Sequence, residues 1–189
     1  MGWTYTHKDE GESVRDFFSK EFGHANEKRK TRVLDCAVVH IREAYLAFED
    51  MNLVDGTREV FAVVCALDYQ PRDYLNFGYK EMEESMGPYY YNCPERILKL
   101  LTPTNNEYAL KWRRRCGEVI ERRKIITKIK NGDILEFGEP IVFKSGYKVQ
   151  RLQVTDKKRC LFKEPGRSWP GYRLKRHTLI NRSFGVVTA

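Results

Sequence analysis

Arg32-Val33-Leu34-Asp35-Cys36-Ala37-Val38-Val39-His40-Ile41-Arg42-Glu43-Ala44-Tyr45-Leu46-Ala47-Phe48 and Glu59-Val60-Phe61-Ala62-Val63-Val64-Cys65-Ala66-Leu67-Asp68-Tyr69 are two long extended runs, rich in Val, Ala and aromatic residues. Asp55-Gly56 between them is a hairpin turn signal. The pair reads as a long antiparallel hairpin, with Ala37-Val38-Val39 facing Phe61-Ala62-Val63-Val64. Its middle is apolar on both faces, so both faces need cover. One cover is a helix over about residues 13–22. Ser13 is its N-cap, Asp16 sits at the third helical position, Val14, Phe17, Phe18 and Phe22 have helical spacing, and Gly23 stops it. The other cover must come from later in the chain. Trp3-Thr4-Tyr5-Thr6, aromatic and β-branched, reads as a short strand.

Beyond the hairpin, periodicity fails from Gln70 to Cys93, and this stretch reads as a long aromatic connection with one helical turn. Pro94 opens a helix running to Leu101, and Thr102-Pro103-Thr104-Asn105-Asn106 breaks it. A longer helix follows, with Tyr108, Trp112, Cys116 and Ile120 as its expected buried stripe. After Lys130 come short strands over 133–137, 140–143, 148–154, 159–162, 172–174 and 183–187, parted by Asn131-Gly132, Ser145-Gly146, Asp156-Lys157 and Pro165-Gly166 through Pro170-Gly171. The fold class is α+β. An N-terminal antiparallel sheet with helices occupies 1–102, a basic connecting helix 103–130, and a small SH3-like β-barrel 131–189.

Charge divides the chain in the same place. Residues 1–102 hold 13 Lys and Arg against 18 Asp and Glu, a balance of −5, whereas residues 103–189 hold 21 against 8, a balance of +13. The C-terminal half therefore carries the field that attracts a polyanion, whether nucleic acid or a nucleic-acid-binding protein complex. The five cysteines, Cys36, Cys65, Cys93, Cys116 and Cys160, are odd in number and widely spaced, with no CxxC pair. This argues against a disulfide framework or structural zinc and for reduced thiols in the cytoplasm. No apolar run approaches a membrane span, and Met1-Gly2-Trp3-Thr4-Tyr5-Thr6-His7-Lys8 has no signal-peptide core. No cofactor loop, GxSxG or HExxH occurs, and His7, His24 and His177 show no metal-ligand spacing.

The candidate binding residues form two basic sets. The helical set is Lys111, Arg113, Arg114, Arg115, Arg122, Arg123 and Lys124, and the barrel set is Lys157, Lys158, Arg159, Arg167, Trp169, Arg173, Lys175 and Arg176. Arginines on one helix face grip phosphates bidentately, and basic residues interleaved with aromatics stack bases as well. The plain alternatives are a solvated helix face, partly compensated by Glu118 and Glu121, and a Trp169 that caps the barrel core. Tyr89, Tyr90 and Tyr91, after Gly87-Pro88, are rigid amphipathic contact area of the kind protein interfaces use, or else a lid folded over the N-terminal sheet. Catalytic constellations are weak. Cys36 and His40 lie roughly 13 Å apart along one strand, and only cross-strand Cys65 could join either.

Several segments taken together carry a resemblance. They are Met1-Gly2-Trp3-Thr4-Tyr5-Thr6, the run Gly78-Tyr79-Lys80-Glu81-Met82-Glu83-Glu84-Ser85-Met86-Gly87-Pro88, Cys93-Pro94-Glu95-Arg96-Ile97-Leu98, Trp112-Arg113 with Cys116, and Gly132-Asp133 with Pro140-Ile141. Across most of its length the chain resembles an uncharacterised family of small basic proteins of bacteria and their phages. No activity is assigned to that family, so the resemblance transfers no catalytic residue. It implies a bacterial or infected host cell and a mobile-element setting. The expected function is a binding protein, not an enzyme, associating with nucleic acid through its basic C-terminal half. The alternatives are a phage or mobile-element inhibitor of a host defence nuclease or ribonucleoprotein, anti-CRISPR-like in acting by direct protein binding, and a cysteine-dependent enzyme built on Cys36, His40 and Cys65.

Overall fold

The computed structural model describes residues 2–70, 73–168 and 171–188. They divide into two compact units, Met1–Glu118 and Val119–Ala189. The division falls inside the helix Glu107–Lys128.

Unit one is a six-stranded antiparallel sheet. Its strands are β1 (Thr4–His7), β2 (His24–Ala25), β3 (Arg29–Val39), β4 (Glu43–Asn52), β5 (Arg58–Gln70) and β6 (Asp73–Glu83), in the order β1-β6-β5-β4-β3-β2. Both faces are covered, as the apolar runs require. Helix α1 (Val14–Phe22) is capped by Ser13, whose hydroxyl accepts the Asp16 N–H. It lays Phe17 and Phe18 on a face made by Ala44, Leu46, Val63, Cys65, Leu67, Phe77 and Tyr79. Edge-to-face aromatic contacts run through this layer, with Phe18 and Tyr79 at 5.3 Å and 88°. The opposite face, with Tyr45, Ala47, Val60, Ala62 and Val64, is covered by helix α2 (Glu95–Leu98) and the first turns of helix α3 (Glu107–Lys128) through Ile97, Trp112 and Cys116.

The structure departs from the sequence reading in several places. The run 32–48 is two strands, because the chain reverses at His40-Ile41, both with positive φ (53° and 54°). A turn of this hand normally announces itself with Asn or Gly, and here a His and a β-branched Ile occupy it. In consequence β4 lies between β3 and β5, and Ala37–Val39 pairs with Glu43–Tyr45 and not with Phe61–Val64. Most of the supposed aromatic connection is strand β6. Its alternation is hidden by Gly78, which sits beneath the Tyr5 and Trp3 rings, where a Cβ would meet Tyr5 Cε1 at 3.0 Å. The expected helical turn is present as a 3₁₀ turn, Glu84–Met86. Helix α2 is shorter than expected, and the buried stripe of α3 is Ala109, Trp112, Cys116 and Val119, with Tyr108 exposed. A strict i, i+4 row drifts about 40° per step around a helix, which turns Tyr108 and Ile120 away from the core.

Unit two is a five-stranded antiparallel sheet, curled into a half-barrel. Its strands are β7 (Ile134–Val142), β8 (Lys148–Asp156), β9 (Leu161–Lys163), β10 (Tyr172–Arg173) and β11 (Phe184–Val187), in the order β10-β9-β8-β7-β11. Two expected strands merge into β7, whose ladder to β8 skips from Glu136 to Ile141. Such a skip bends a strand without ending it. A short helix α4 (Arg176–Ile180), not read from the sequence, brings Leu179 onto Leu135, Phe137, Leu152, Val154 and Phe162, and Ile126 and Ile129 from the end of α3 complete the core.

In unit one, β6 pairs with β5 only from Val63 onward, which leaves the start of β5 without that neighbour. Thr102 serves Val60, its N–H donating to the Val60 carbonyl at 2.8 Å and its hydroxyl accepting the Val60 N–H at 3.1 Å. The Glu84 carboxylate accepts the Ala62 N–H at 3.2 Å. Arg113 of α3 then clamps both substitutes. It donates from Nε and Nη2 to Glu84 at 2.7 and 2.5 Å, and from Nη1 to the Thr102 carbonyl at 2.6 Å. Glu84 is 2% exposed, so removing its partner strands a charge in the interior. Arg113→Ala will lower unfolding stability by about 3–5 kcal/mol, read as a urea midpoint shift, and Glu84→Gln, which keeps the Ala62 bond, will cost less. An Arg113→Ala variant within about 1 kcal/mol of the parent would mean the clamp is not a stability element.

Candidate functional site

Gly87 adopts the left-handed conformation (φ 66°) at the end of the 3₁₀ turn and aims the chain into Pro88-Tyr89-Tyr90-Tyr91. The loop is held along its length. The Asn92 N–H donates to the Tyr45 hydroxyl at 2.9 Å, and that hydroxyl donates to Glu43 at 2.5 Å. Burial, helped by the Glu43 hydrogen bond, pushes the Tyr45 hydroxyl well above the usual phenol range, so it stays a donor. Trp112 donates its indole N–H to the Tyr90 carbonyl at 2.8 Å. Arg115 donates to the Tyr91 hydroxyl at 2.8 Å and lies 5.1 Å from the ring centroid, a cation–π contact.

The three tyrosines therefore have three settings. Tyr90 packs against the core that holds Tyr45 and Trp112, Tyr91 packs there too and lies under Arg115, and Tyr89 is 83% exposed. Along α3, Tyr108, Lys111 and Arg115 have the i, i+3, i+7 spacing that puts side chains on one face. They meet the tyrosine loop in a groove of about 300 Å³ whose wall includes Met86, Tyr89 and Tyr91. Tyr108 is 65% exposed and Met86 52% exposed. Two sets that the sequence kept apart, the tyrosines and part of the basic helix, are one surface.

The remaining basic residues separate. Arg113 is not offered to a ligand, because it is committed to Glu84 and Thr102 inside unit one. Arg114 is exposed on α3. In unit two, Arg122, Arg123 and Lys124 lie along the rest of α3, with Lys124 paired to Glu121 at 2.8 Å. Lys157, Lys158 and Arg176 line one groove with an apolar floor. Arg159 sits 3.7 Å from Asp156. Arg173 and Lys175 are exposed. Arg167 pairs with Glu164 at 3.1 Å and donates to the Tyr147 hydroxyl at 3.1 Å. The Tyr172 hydroxyl donates to the same Glu164 at 2.6 Å; this holds the carboxyl below its usual range and pushes the phenol up to about 12. Phe143, Tyr172 and Tyr147 stack in series beside them, an aromatic ladder the sequence reading did not single out. Trp169 lies outside the described residues.

Cys36 and Cys65 lie in the core under α1, and His40 lies in the reversing turn between β3 and β4. Burial pushes the Cys36 and Cys116 thiols up to about 12, and Cys65 and Cys93 upward as well. Among the described residues, no group of three or more His, Cys, Asp or Glu is arranged to hold a metal ion, and no helix is long and apolar enough to cross a membrane.

Residues 103–177 match a family described as a domain of unknown function, DUF6927. The match covers less than half of the chain, running from the break before α3 into α4. No curated protein and no solved structure matches the chain.

Four cysteines are buried and Cys160 is partly exposed. A thiol reagent applied to the native protein will therefore titrate one cysteine, Cys160, and Cys160→Ser will abolish the fast phase; the other four will react only on unfolding. Rapid native labelling of Cys36 or Cys65 would revive a thiol-based activity on those strands.

Proposed function

We propose that the protein is a nucleic-acid-binding protein that takes single strands in the groove between the tyrosine loop and α3. The observation that carries this reading is the meeting of exposed Tyr89 and Tyr108 with Lys111 and Arg115 on one face of unit one. Aromatic rings offer every base a stacking surface worth about 1–3 kcal/mol, and cations beside them follow the phosphates. Only unstacked bases reach such rings, which favours single strands. Unit two, read as an SH3-like barrel scaffold, holds 17 Lys and Arg against 6 Asp and Glu and adds a field that raises the local concentration of a polyanion. The residues proposed for contact are Tyr89, Tyr108, Lys111, Arg114 and Arg115, with the exposed cations of unit two contributing through charge.

A second reading rests on a specific feature of the same groove. Met86, Tyr89 and Tyr108 together are a larger exposed apolar area than phosphate binding needs, and exposed aromatics anchor protein interfaces. In the mobile-element setting that the sequence resemblance implies, the partner would be a host defence nuclease or ribonucleoprotein inhibited by direct contact.

One titration separates the two. Against a labelled single-stranded oligonucleotide, log affinity will fall linearly with log salt. Tyr89→Ala and Tyr108→Ala will each weaken binding about 5- to 150-fold with the slope unchanged. Lys111→Ala will reduce the slope by about 0.7, the value of one phosphate on a single strand. No affinity at low salt overturns the reading. A stoichiometric complex from host lysate that survives nuclease treatment and is lost in Tyr89→Ala would replace it with the inhibitor.

A further inference from the structure

Unit two holds a groove of about 510 Å³ with an unusual division of chemistry. Its floor is apolar, built from Ile126 and Ile129 at the end of α3, Phe162 of β9 and Leu179 of α4. Its rim is cationic, with Lys157, Lys158 and Arg176, and among the described residues no carboxylate lines it.

The three cations are not equivalent. Lys157 is already used, because its ammonium donates at 2.7 Å to the Thr127 carbonyl in the last turn of α3. Lys158 and Arg176 make no ion pair among the described residues, and the one carboxylate in the adjoining turn, Asp156, is engaged by Arg159 and accepts its backbone N–H at 3.0 Å. Desolvated apolar walls beside two unneutralised cations favour a ligand with an apolar body and one anionic head. A bare phosphate would leave the floor unfilled, and a neutral lipid would leave the cations unanswered.

We propose that this groove binds an amphipathic monoanion, a medium-chain alkyl or aryl carboxylate, with its tail on Ile126, Ile129 and Phe162 and its head between Lys158 and Arg176. This site is separate in residues and in chemistry from the aromatic groove of unit one, so each proposal stands or falls alone. Cys160 supplies a built-in reporter. It lines the groove, is partly exposed, and is held at φ 54° by a turn in which its N–H donates to the Lys157 carbonyl at 3.3 Å.

The test is the rate at which neutral N-ethylmaleimide modifies Cys160 in the native full-length chain. Decanoate will slow this at least tenfold, saturably, with one site by calorimetry. 1-Decanol will slow it far less, and decylamine not at all. In Lys158→Glu/Arg176→Glu the advantage of decanoate over decanol will vanish, while equal protection by decanol in both proteins shows that the apolar floor is intact. The proposal is overturned if decanoate protects the parent no better than decanol, if its protection survives the charge reversal, or if a single-stranded oligonucleotide protects Cys160 where decanoate does not.

Discussion

The Glu84 carboxylate takes the Nε–H and an Nη2–H of the Arg113 guanidinium on one side and the Ala62 amide on the other, in a place almost wholly shielded from solvent. Each partner answers a different need. The start of β5 lacks its neighbour because β6 ends at Glu83, and a carboxylate and a threonine complete the edge in its place. A carboxylate used in this way must itself be neutralised, and an arginine on a neighbouring helix does so with matched geometry. With Arg113 fixed, the rotation of α3 follows. Trp112 and Cys116 fall into the core, and Tyr108, Lys111 and Arg115 fall beside the tyrosine loop.

The same constraint explains why the groove is ordered. Its loop wall is tied to Tyr45 through Asn92 and to Trp112 through the Tyr90 carbonyl, and its helix wall is tied to the sheet through Arg113. Tyr89 can then stand exposed without a floppy backbone beneath it, so a ligand would not have to order the loop before stacking on it. Unit two contrasts with this. Its exposed cations are spread over α3, β8 and the turns, and the rim of the apolar groove, where Lys157, Lys158 and Arg176 meet, suits a head group better than a strand of phosphates.

Much of this architecture is legible in the residues. The double-sided apolar runs demanded two covers, and α1 on one face with α2 and α3 on the other are those covers. Ser13 with Asp16 marked the helix start, and Asp55-Gly56 marked a real turn. What the sequence hid has physical causes. His40 and Ile41 make a left-handed turn without a turn residue, Gly78 interrupts the alternation of β6 because rings need the space above it, and Phe137–Pro140 bulge within one strand. The charge count could not say which arginine is spent inside. Arg113 stands between Trp112 and Arg114 with nothing to mark it, since its partner lies 29 residues earlier. The joining of Tyr89 to Tyr108 is likewise invisible until α2 and the break at 102–106 fold the chain back.

The central claim is that bases stack in the groove of unit one, and photochemical crosslinking tests it most directly. A single-stranded oligonucleotide carrying 5-iodouracil, irradiated on the native protein and mapped by mass spectrometry, reports the aromatic side chains in contact with bases. The account predicts adducts at Tyr89 and Tyr108. Adducts absent from residues 86–115 and confined to other aromatics would contradict it.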